Sequence, residues 1–255
     1  MLAAQLCCLR DLANFWQGLF PFLKRPDLGI GTDVFLKKEI IMNFYKKLAE
    51  SVQIQYINGK PMVVGQADSL KLIGVGRSAF VFLINNTTKA MKIFFPGLNN
   101  IALEEAYIYQ IIKDIDFFPN IYGSGLNYIV IDYVEGYTLF ECLTLGIPIS
   151  EKEINEVDFA LYLARKKGLN PSDVHLRNII ITPNGSIKVI DVARFRQSQK
   201  CPQWEDIKSA FSYFYLKPYF PKKFPAFLLN GIAYLYKKIY KKRLLSFYLR
   251  KAQAP

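Results

Sequence analysis

Two carboxylates and an amide in the second half of the chain stand at a spacing that could do chemistry. Asp173 and Asn178 bracket the run Asp173-Val-His-Leu-Arg-Asn178, and Asp191 follows in Ile190-Asp-Val-Ala193. A carboxylate at 173 can orient a hydroxyl and take its proton. The amide of Asn178 and the carboxylate of Asp191 are hard oxygen donors of the kind that magnesium or manganese accepts beside phosphate groups. Together they meet the needs of phosphoryl transfer, in which positioning and charge neutralisation do most of the work. Taken singly, each is also an ordinary turn residue, because Asp and Asn bond their own backbone and end strands.

A second group lies about a hundred residues upstream. In Leu72-Ile-Gly-Val-Gly-Arg-Ser-Ala-Phe-Val81, Gly74 and Gly76 flank Val75 and let backbone N–H groups approach anionic oxygen with no Cβ in the way. Any tight hairpin uses such glycines, so the run gains its weight from a lysine and a carboxylate farther along the chain. Alternation along Ala90-Met-Lys92 points Ala90 and Lys92 to one face, where a lysine reaches phosphate. Glu104 and Glu105 then offer a carboxylate to hold Lys92. Glu105 is preferred because it places Ile108 and Ile112 on the inward stripe, and Glu104 stays open.

These residues need a scaffold, and the apolar rhythm supplies one. Leu36, Ile40, Ile41, Phe44 and Leu48 predict an amphipathic helix over 34–52. Asn58-Gly59 predicts a hairpin between 54–57 and 61–64. Strands are expected at 70–74, 79–84, 90–95, 121–122 and 128–134, with a helix over 101–113, as a small mixed sheet. The second half reads as mainly helical. Ser150 and Glu153 form a capping box for a helix buried through Ile154, Val157, Leu161 and Ala164 and stopped by Gly168. Short strands at 178–182 and 186–190 carry Asn178 and Asp191. Pro218, Pro221 and Pro225 then interrupt helices that begin near Trp204.

In this order the residues resemble the protein kinase superfamily. Gly74, Gly76, Ala79 and Val81 follow its Gly-rich loop, Ala90-Met91-Lys92 its Ala-x-Lys strand, and Asp173–Asn178 with Asp191 its catalytic and metal-binding segments. The resemblance implies that Gly74, Val75, Gly76, Val81, Ala90 and Lys92 bind ATP and that Glu105 positions Lys92. It implies a hinge at Ile131-Asp-Tyr-Val-Glu-Gly136, with Ile131 as gatekeeper and the backbone of Asp132 and Val134 reading adenine. Asp173 and Lys92 would be catalytic, and Asn178 with Asp191 would hold Mg2+ or Mn2+. His175 sits where many kinases place a γ-phosphate contact, and reads either as that contact or as a structural histidine. Arg177 reads as a contact to transferred phosphate or as a surface charge. Asp206 is a candidate to steady the catalytic loop.

The departures narrow the kinship. Pro171 and Ser172 replace the His-Arg before the catalytic Asp, which removes the docking charge for a phosphorylated activation loop. Ala193 replaces a glycine. The 64 residues after Asp191 contain no Ala-Pro-Glu, so a full activation segment with peptide-docking helices is not expected. The compact pattern, over roughly residues 68–210, is similar to the small atypical serine/threonine kinases of Bacillus-type bacteria, with kinship to RIO-like and lipopolysaccharide-core (Kdo) kinases.

Composition bounds the rest. With 51% hydrophobic and 21% charged residues the chain can bury a core and is not of disordered type. The single His175 leaves no room for a His-based zinc site. Cys7, Cys8, Cys142 and Cys201 have no Cys-x-x-Cys spacing and read as reduced thiols. No apolar run reaches the roughly 18 residues of a membrane span, and Arg10 and Asp11 interrupt the start where a signal peptide needs apolar residues. The net charge of +12 suits nucleotide, nucleic acid, anionic lipid or an acidic protein without choosing among them. Residues 201–255 carry eleven Lys and Arg against two acidic groups, a solvated helix face or a patch for an anionic membrane surface, with nucleic acid less favoured. Leu12, Phe15, Trp16, Leu19 and Phe20 read as a docked extension or an interfacial anchor.

The expectation is an α+β, two-lobed kinase-like fold. Residues 1–67 form an N-terminal extension, 68–134 a five-stranded lobe with one helix, and 135–255 a shortened helical lobe with a basic aromatic tail. The expected activity is ATP- and magnesium-dependent transfer of the γ-phosphate to a hydroxyl, of protein Ser/Thr first. A small-molecule acceptor (sugar, lipid or antibiotic) and a pseudokinase scaffold are the alternatives. The expected location is cytoplasmic, with peripheral membrane attachment open.

Overall fold

Strand-forming runs separated by tight turns fold residues 70–132 into a single five-stranded sheet, the element that carries the Gly-rich turn and Lys92. The structure, a computed structural model, describes residues 30–238, with side chains from 36 onward. The expectations for residues 7–20, and for the part of the basic tail over 239–255, lie outside the described residues. The chain divides into two compact units, 1–44 and 45–255. Helix α1 (Ile30–Ser51) runs across that division, and its later residues Tyr45, Leu48 and Ala49 are buried. Leu36 and Ile40, expected on the inward stripe, are exposed.

In the second unit, β1 (Gln53–Ile57) and β2 (Lys60–Gly65) pair as the expected hairpin, with positive φ at both Asn58 and Gly59, as a two-residue turn of this type demands. The five-stranded sheet contains β3 (Leu70–Val75), β4 (Ala79–Ile84), β5 (Lys89–Phe94), β6 (Ile121–Ser124) and β7 (Tyr128–Asp132) in the order β3-β4-β5-β7-β6. The sheet is wholly antiparallel, where a mixed sheet was expected. The reason is topological. Helix α2 (Asn99–Ile111) crosses from β5 to the far edge, and β6 then turns back through β7 into the gap beside β5. Register places Val81 opposite Lys92, Leu83 opposite Ala90 and Ala90 opposite Ile131, so these side chains share one face.

After β7 the chain pairs β8 (Tyr137–Thr138), β9 (Ile179–Ile181) and β10 (Ile187–Val189) in a second antiparallel sheet and is otherwise helical. Helix α3 (Leu139–Leu145) opens on a Thr138/Glu141 capping box and α4 (Glu151–Lys166) on the expected Ser150/Glu153 box. Helix α4 buries Ile154, Val157, Ala160, Leu161 and Ala164, and Gly168 follows with φ +81°. Helix α5 (Gln203–Ala210) is tied to α4 by Trp204 Nε1 donating to Asp158 at 2.6 Å and by Lys208 at 2.9 Å. A short π-helix (Phe211–Tyr215) and a helix over 226–238 follow. Among the described residues no helix is long and apolar enough to cross a membrane. The buried cluster runs from Ala90, Phe94 and Ile131 on the sheet through Tyr109 of α2 to Val157, Leu161, Val189 and Phe195.

Gly136 is where the sheet hands over to the helical part. It has φ +139°, and a Cβ there would sit 2.1 Å from the carbonyl oxygen of Ile181. Gly136→Ala should therefore lower stability by about 2–3 kcal/mol, read as a shifted urea midpoint at unchanged slope. An unshifted midpoint would mean the β8–β9 junction has room that this geometry denies.

Candidate active site

Lys92 is fixed by β5, whose six residues are all buried. Its Nζ donates to Glu105 Oε2 at 2.7 Å and Oε1 at 2.9 Å, and to Asp191 Oδ1 at 3.0 Å. Residues 99 positions apart in sequence thus meet on one ammonium. Glu105 is fully buried on the same stripe of α2 as Ala102, Ala106, Ile108 and Tyr109. Glu104, one step round the helix, faces out and takes Arg196 at 2.9 Å. Of the two carboxylates left open by the sequence, Glu105 is the partner of Lys92.

One cation now serves two carboxylates, and their protonation divides accordingly. The neighbouring charges hold the Lys92 ammonium above its usual range against desolvation, the largest opposing influence. Asp191, nearer solvent, is held low by the Lys92 charge and hydrogen bond, which outweigh its partial burial. Glu105, with no access to water, is pushed up to about 7 by desolvation, opposed by Lys92 and reinforced by Asp191. The unfolded chain releases this proton near 4.5, whereas the folded chain keeps it to about 7. Stability contributed by the protonated form is therefore full below about 4.5 and is lost as pH rises to about 7. Against Glu105→Gln, which does not titrate, the wild type should lose stability across that window. Urea midpoints of both proteins on either side of it test this; parallel profiles would contradict it.

Asp173, a third carboxylate of the site, is held by the loop before β9. Asn178 N donates to His175 O at 2.8 Å and its Nδ2 to Asp173 O at 3.2 Å, closing a small turn around Asp173. Ile190 N donates to Asn178 O at 2.8 Å, which couples this loop to the segment that runs from β10 to Asp191. Buried Val189 and Val192 flank Asp191 and pin it in the cleft. Asp173 and Asp191 both adopt left-handed backbone, φ +59° and +60°. The only other described non-glycine residues with positive φ, Asn58 and Asn86, lie in turns, so the strained geometry inside the fold is confined to this site. Ala193 is not left-handed and needs no glycine. Asn170 binds the segment after Asp191 through the carbonyls of Gln197 and Gln199, and Ser172 is buried on Asn170 O at 3.0 Å.

The Gly-rich turn closes over this cleft. Gly76 N donates to Ala79 O at 2.8 Å, and a Cβ on Gly76 would approach that oxygen to 3.2 Å. Gly74 lies opposite Val81 beside a bulge at Ile73. Val81, Ala90 and Ile131 line the sheet face that also carries Lys92. Val75, on the outer turn, is 67% exposed, so its contribution is backbone. The Val134 N–H makes no hydrogen bond among the described residues and is half-buried, open to a heteroaromatic base. Asp132 spends its carboxylate on Asn120 and Tyr122 and its N–H on Asn120 O at 3.0 Å, so that its carbonyl is the part that remains for the hinge.

The donor set fits a magnesium-type cation. Asn178 Oδ1 and Asp191 Oδ2 accept no hydrogen bond among the described residues, and both are hard oxygens. No group of three His, Cys, Asp or Glu placed to hold a metal is gathered among the described residues, here or elsewhere; two protein oxygens plus phosphate suit a cation that keeps several waters. His175 Nδ1 is buried without a partner, and burial holds the imidazole below its usual range. Arg177 is not in the cleft: its guanidinium lies 3.4 Å above the Phe140 ring and donates to Asn230. Asp206 accepts from Tyr236 rather than bracing the catalytic loop.

Sequence reasoning missed Arg77 and Arg194. Arg77 Nη2 reaches Asp173 Oδ2 at 2.8 Å, and Arg194 Nε lies 3.5 Å from the same oxygen. Both are exposed arginines in irregular segments, and nothing in their neighbours along the chain signals a partner.

No protein-family profile matches the chain. It is 49% identical over 175 residues to the Bacillus subtilis protein named "Putative serine/threonine-protein kinase YrzF", covering 68% of this chain and 81% of that protein. It is 29% identical over 147 residues to "Serine/threonine-protein kinase PrkC" of the same organism, covering 51% of this chain and 22% of that longer protein.

Proposed function

We propose, from the premise that this chain belongs to the serine/threonine-protein kinase family, that its cleft transfers the γ-phosphate of ATP to a Ser or Thr hydroxyl of a protein. The observation that carries the reading is the single ammonium of Lys92 held between Glu105 and Asp191 at 2.7 and 3.0 Å. Lys92 binds phosphate oxygens, and Glu105 fixes where it stands. The Gly74–Ala79 turn covers the phosphates with the N–H groups left after Gly76 N bonds Ala79 O, while Val81, Ala90 and Ile131 pack on the base and the backbone of Asp132 and Val134 reads its edge. His175 faces the transferred phosphate. Asp173 orients the acceptor hydroxyl and takes its proton. Asn178 and Asp191 would hold a divalent cation, which when bound neutralises phosphate charge.

Incubation of the full chain with magnesium and γ-labelled ATP, alone and beside a panel of sugars and small alcohols, tests the acceptor. Mass-spectrometric mapping should find phosphoserine or phosphothreonine on protein. Label moving only to a small alcohol would favour the small-molecule reading. No transfer to anything, with ATP still bound, would favour a scaffold.

A further inference from the structure

The mouth of the cleft holds more positive charge than the proposed chemistry uses. Asp173 Oδ2 is shared by two guanidinia, Arg77 from the Gly-rich turn at 2.8 Å and Arg194 from the segment after Asp191 at 3.5 Å. Asp173 Oδ1 has no partner among the described residues and remains for the acceptor hydroxyl. The other carboxylates nearby are engaged, Asp191 by Lys92 and Glu104 by Arg196. His175, within the same field, also feels Lys237 from the helix over 226–238. One carboxylate therefore faces two arginines at the place where an acceptor must enter.

Both guanidinia are accessible, with side chains 61% and 54% exposed. Exposed ion pairs of this kind hold weakly, so an incoming anion can take a guanidinium from Asp173 at little cost. The planar fork of arginine suits carboxylate and phosphate alike.

We propose that Arg77 and Arg194 form an anion-reading gate, so that the preferred acceptor is a Ser or Thr carried beside a negatively charged side chain. The inference rests on the protein-kinase reading above and names the acceptor class within it. The acidic group engages the two arginines, and the hydroxyl passes between them to Asp173. The bond from γ-phosphorus to the ADP oxygen breaks, a bond from phosphorus to the acceptor oxygen forms, and the hydroxyl proton passes to Asp173. ADP leaves, and Asp173 returns its proton to solvent. A lysine or arginine beside the hydroxyl meets like charge at the same point, which disfavours basic acceptors.

The test is a series of serine peptides on one backbone, with glutamate, phosphoserine, alanine or lysine flanking the serine, phosphorylated by the full chain. At low salt kcat/KM should be at least about tenfold higher for the glutamate or phosphoserine peptide than for alanine, and lower still for lysine. Glutamate ahead of phosphoserine identifies a carboxylate as the group read, and the reverse order a phosphate. Raising ionic strength from about 0.05 M to about 0.5 M should shrink the preference. Arg77→Ala with Arg194→Ala should bring the glutamate-to-alanine ratio to about one, mainly through KM for peptide, and the double Glu replacement should turn it toward lysine. A wild type indifferent to flanking charge, or a preference that survives both double variants, overturns the gate while leaving the kinase reading intact. So does a rise in KM for ATP in place of the change in peptide preference, because Arg77 then serves the nucleotide. Transfer to no peptide of any charge overturns the protein-kinase reading and the gate with it.

Discussion

Asp191→Asn should leave the chain folded and slow phosphate transfer by at least about 10^3-fold. Asp191 is the one carboxylate in contact with Lys92 that also reaches solvent, 43% exposed against 0% for Glu105. Removing its charge withdraws the negative oxygen proposed for the cation and frees Lys92 from its bridging position. Asparagine is the informative replacement because it tolerates φ +60°, whereas alanine there adds backbone strain of about 1 kcal/mol or more and confuses folding with chemistry. A second consequence distinguishes this from a general injury. With Asp191 neutral, Glu105 loses a repelling neighbour and its protonation should fall below the value of about 7 it has in the wild type. The pH dependence of stability in Asp191→Asn should therefore flatten, while transfer is lost. Activity within about tenfold of wild type would remove Asp191 from the catalytic set.

Asp173→Asn should lower kcat by about 10^2- to 10^4-fold and leave ATP affinity close to that of the wild type. Asparagine keeps the left-handed backbone that position 173 requires and keeps an oxygen toward Arg77, but it cannot accept the hydroxyl proton. Asp173 touches neither Lys92 nor Glu105, so the phosphate-binding half of the cleft has no reason to change. The lost ion pairs are exposed and together contribute no more than about 1–2 kcal/mol. Single-turnover rates set beside nucleotide titration give both numbers. Equal losses in rate and in ATP affinity would move Asp173 from proton handling to nucleotide binding.

Much of this site was legible in the sequence, and the parts that were not share a cause. Lys92, Asp173, Asn178 and Asp191 were singled out by residue type and by their order along the chain, and the fold brings Lys92 to Asp191 and Asn178 to Asp173. The Asn58-Gly59 hairpin and the Ser150/Glu153 box are local, decided by a few backbone angles and hydrogen bonds between near neighbours. Glu104 and Glu105 could not be separated until the phase of α2 was set, because one step of 100° decides between the buried stripe and the Arg196 side. The antiparallel order of the sheet depends on β7 entering between β5 and β6, a pairing that no single strand encodes. Strand β8 is two residues long and exists through its partner β9. Arg77 meets Asp173 across 96 positions of sequence, and Arg177, which looked better placed, is drawn away by the Phe140 ring. Long-range contacts of exposed charges leave no periodicity behind, so arginines were where the reading of residues failed.

The measurement that most directly tests the account compares ATP labelled at the α- and at the γ-phosphorus, with magnesium and with chelator. Label from the γ-position alone, dependent on the metal, stable to acid and released by base, is the result expected for phosphate on Ser or Thr. Label from the α-position, or acquired equally with chelator and by the Asp191→Asn protein, would contradict it.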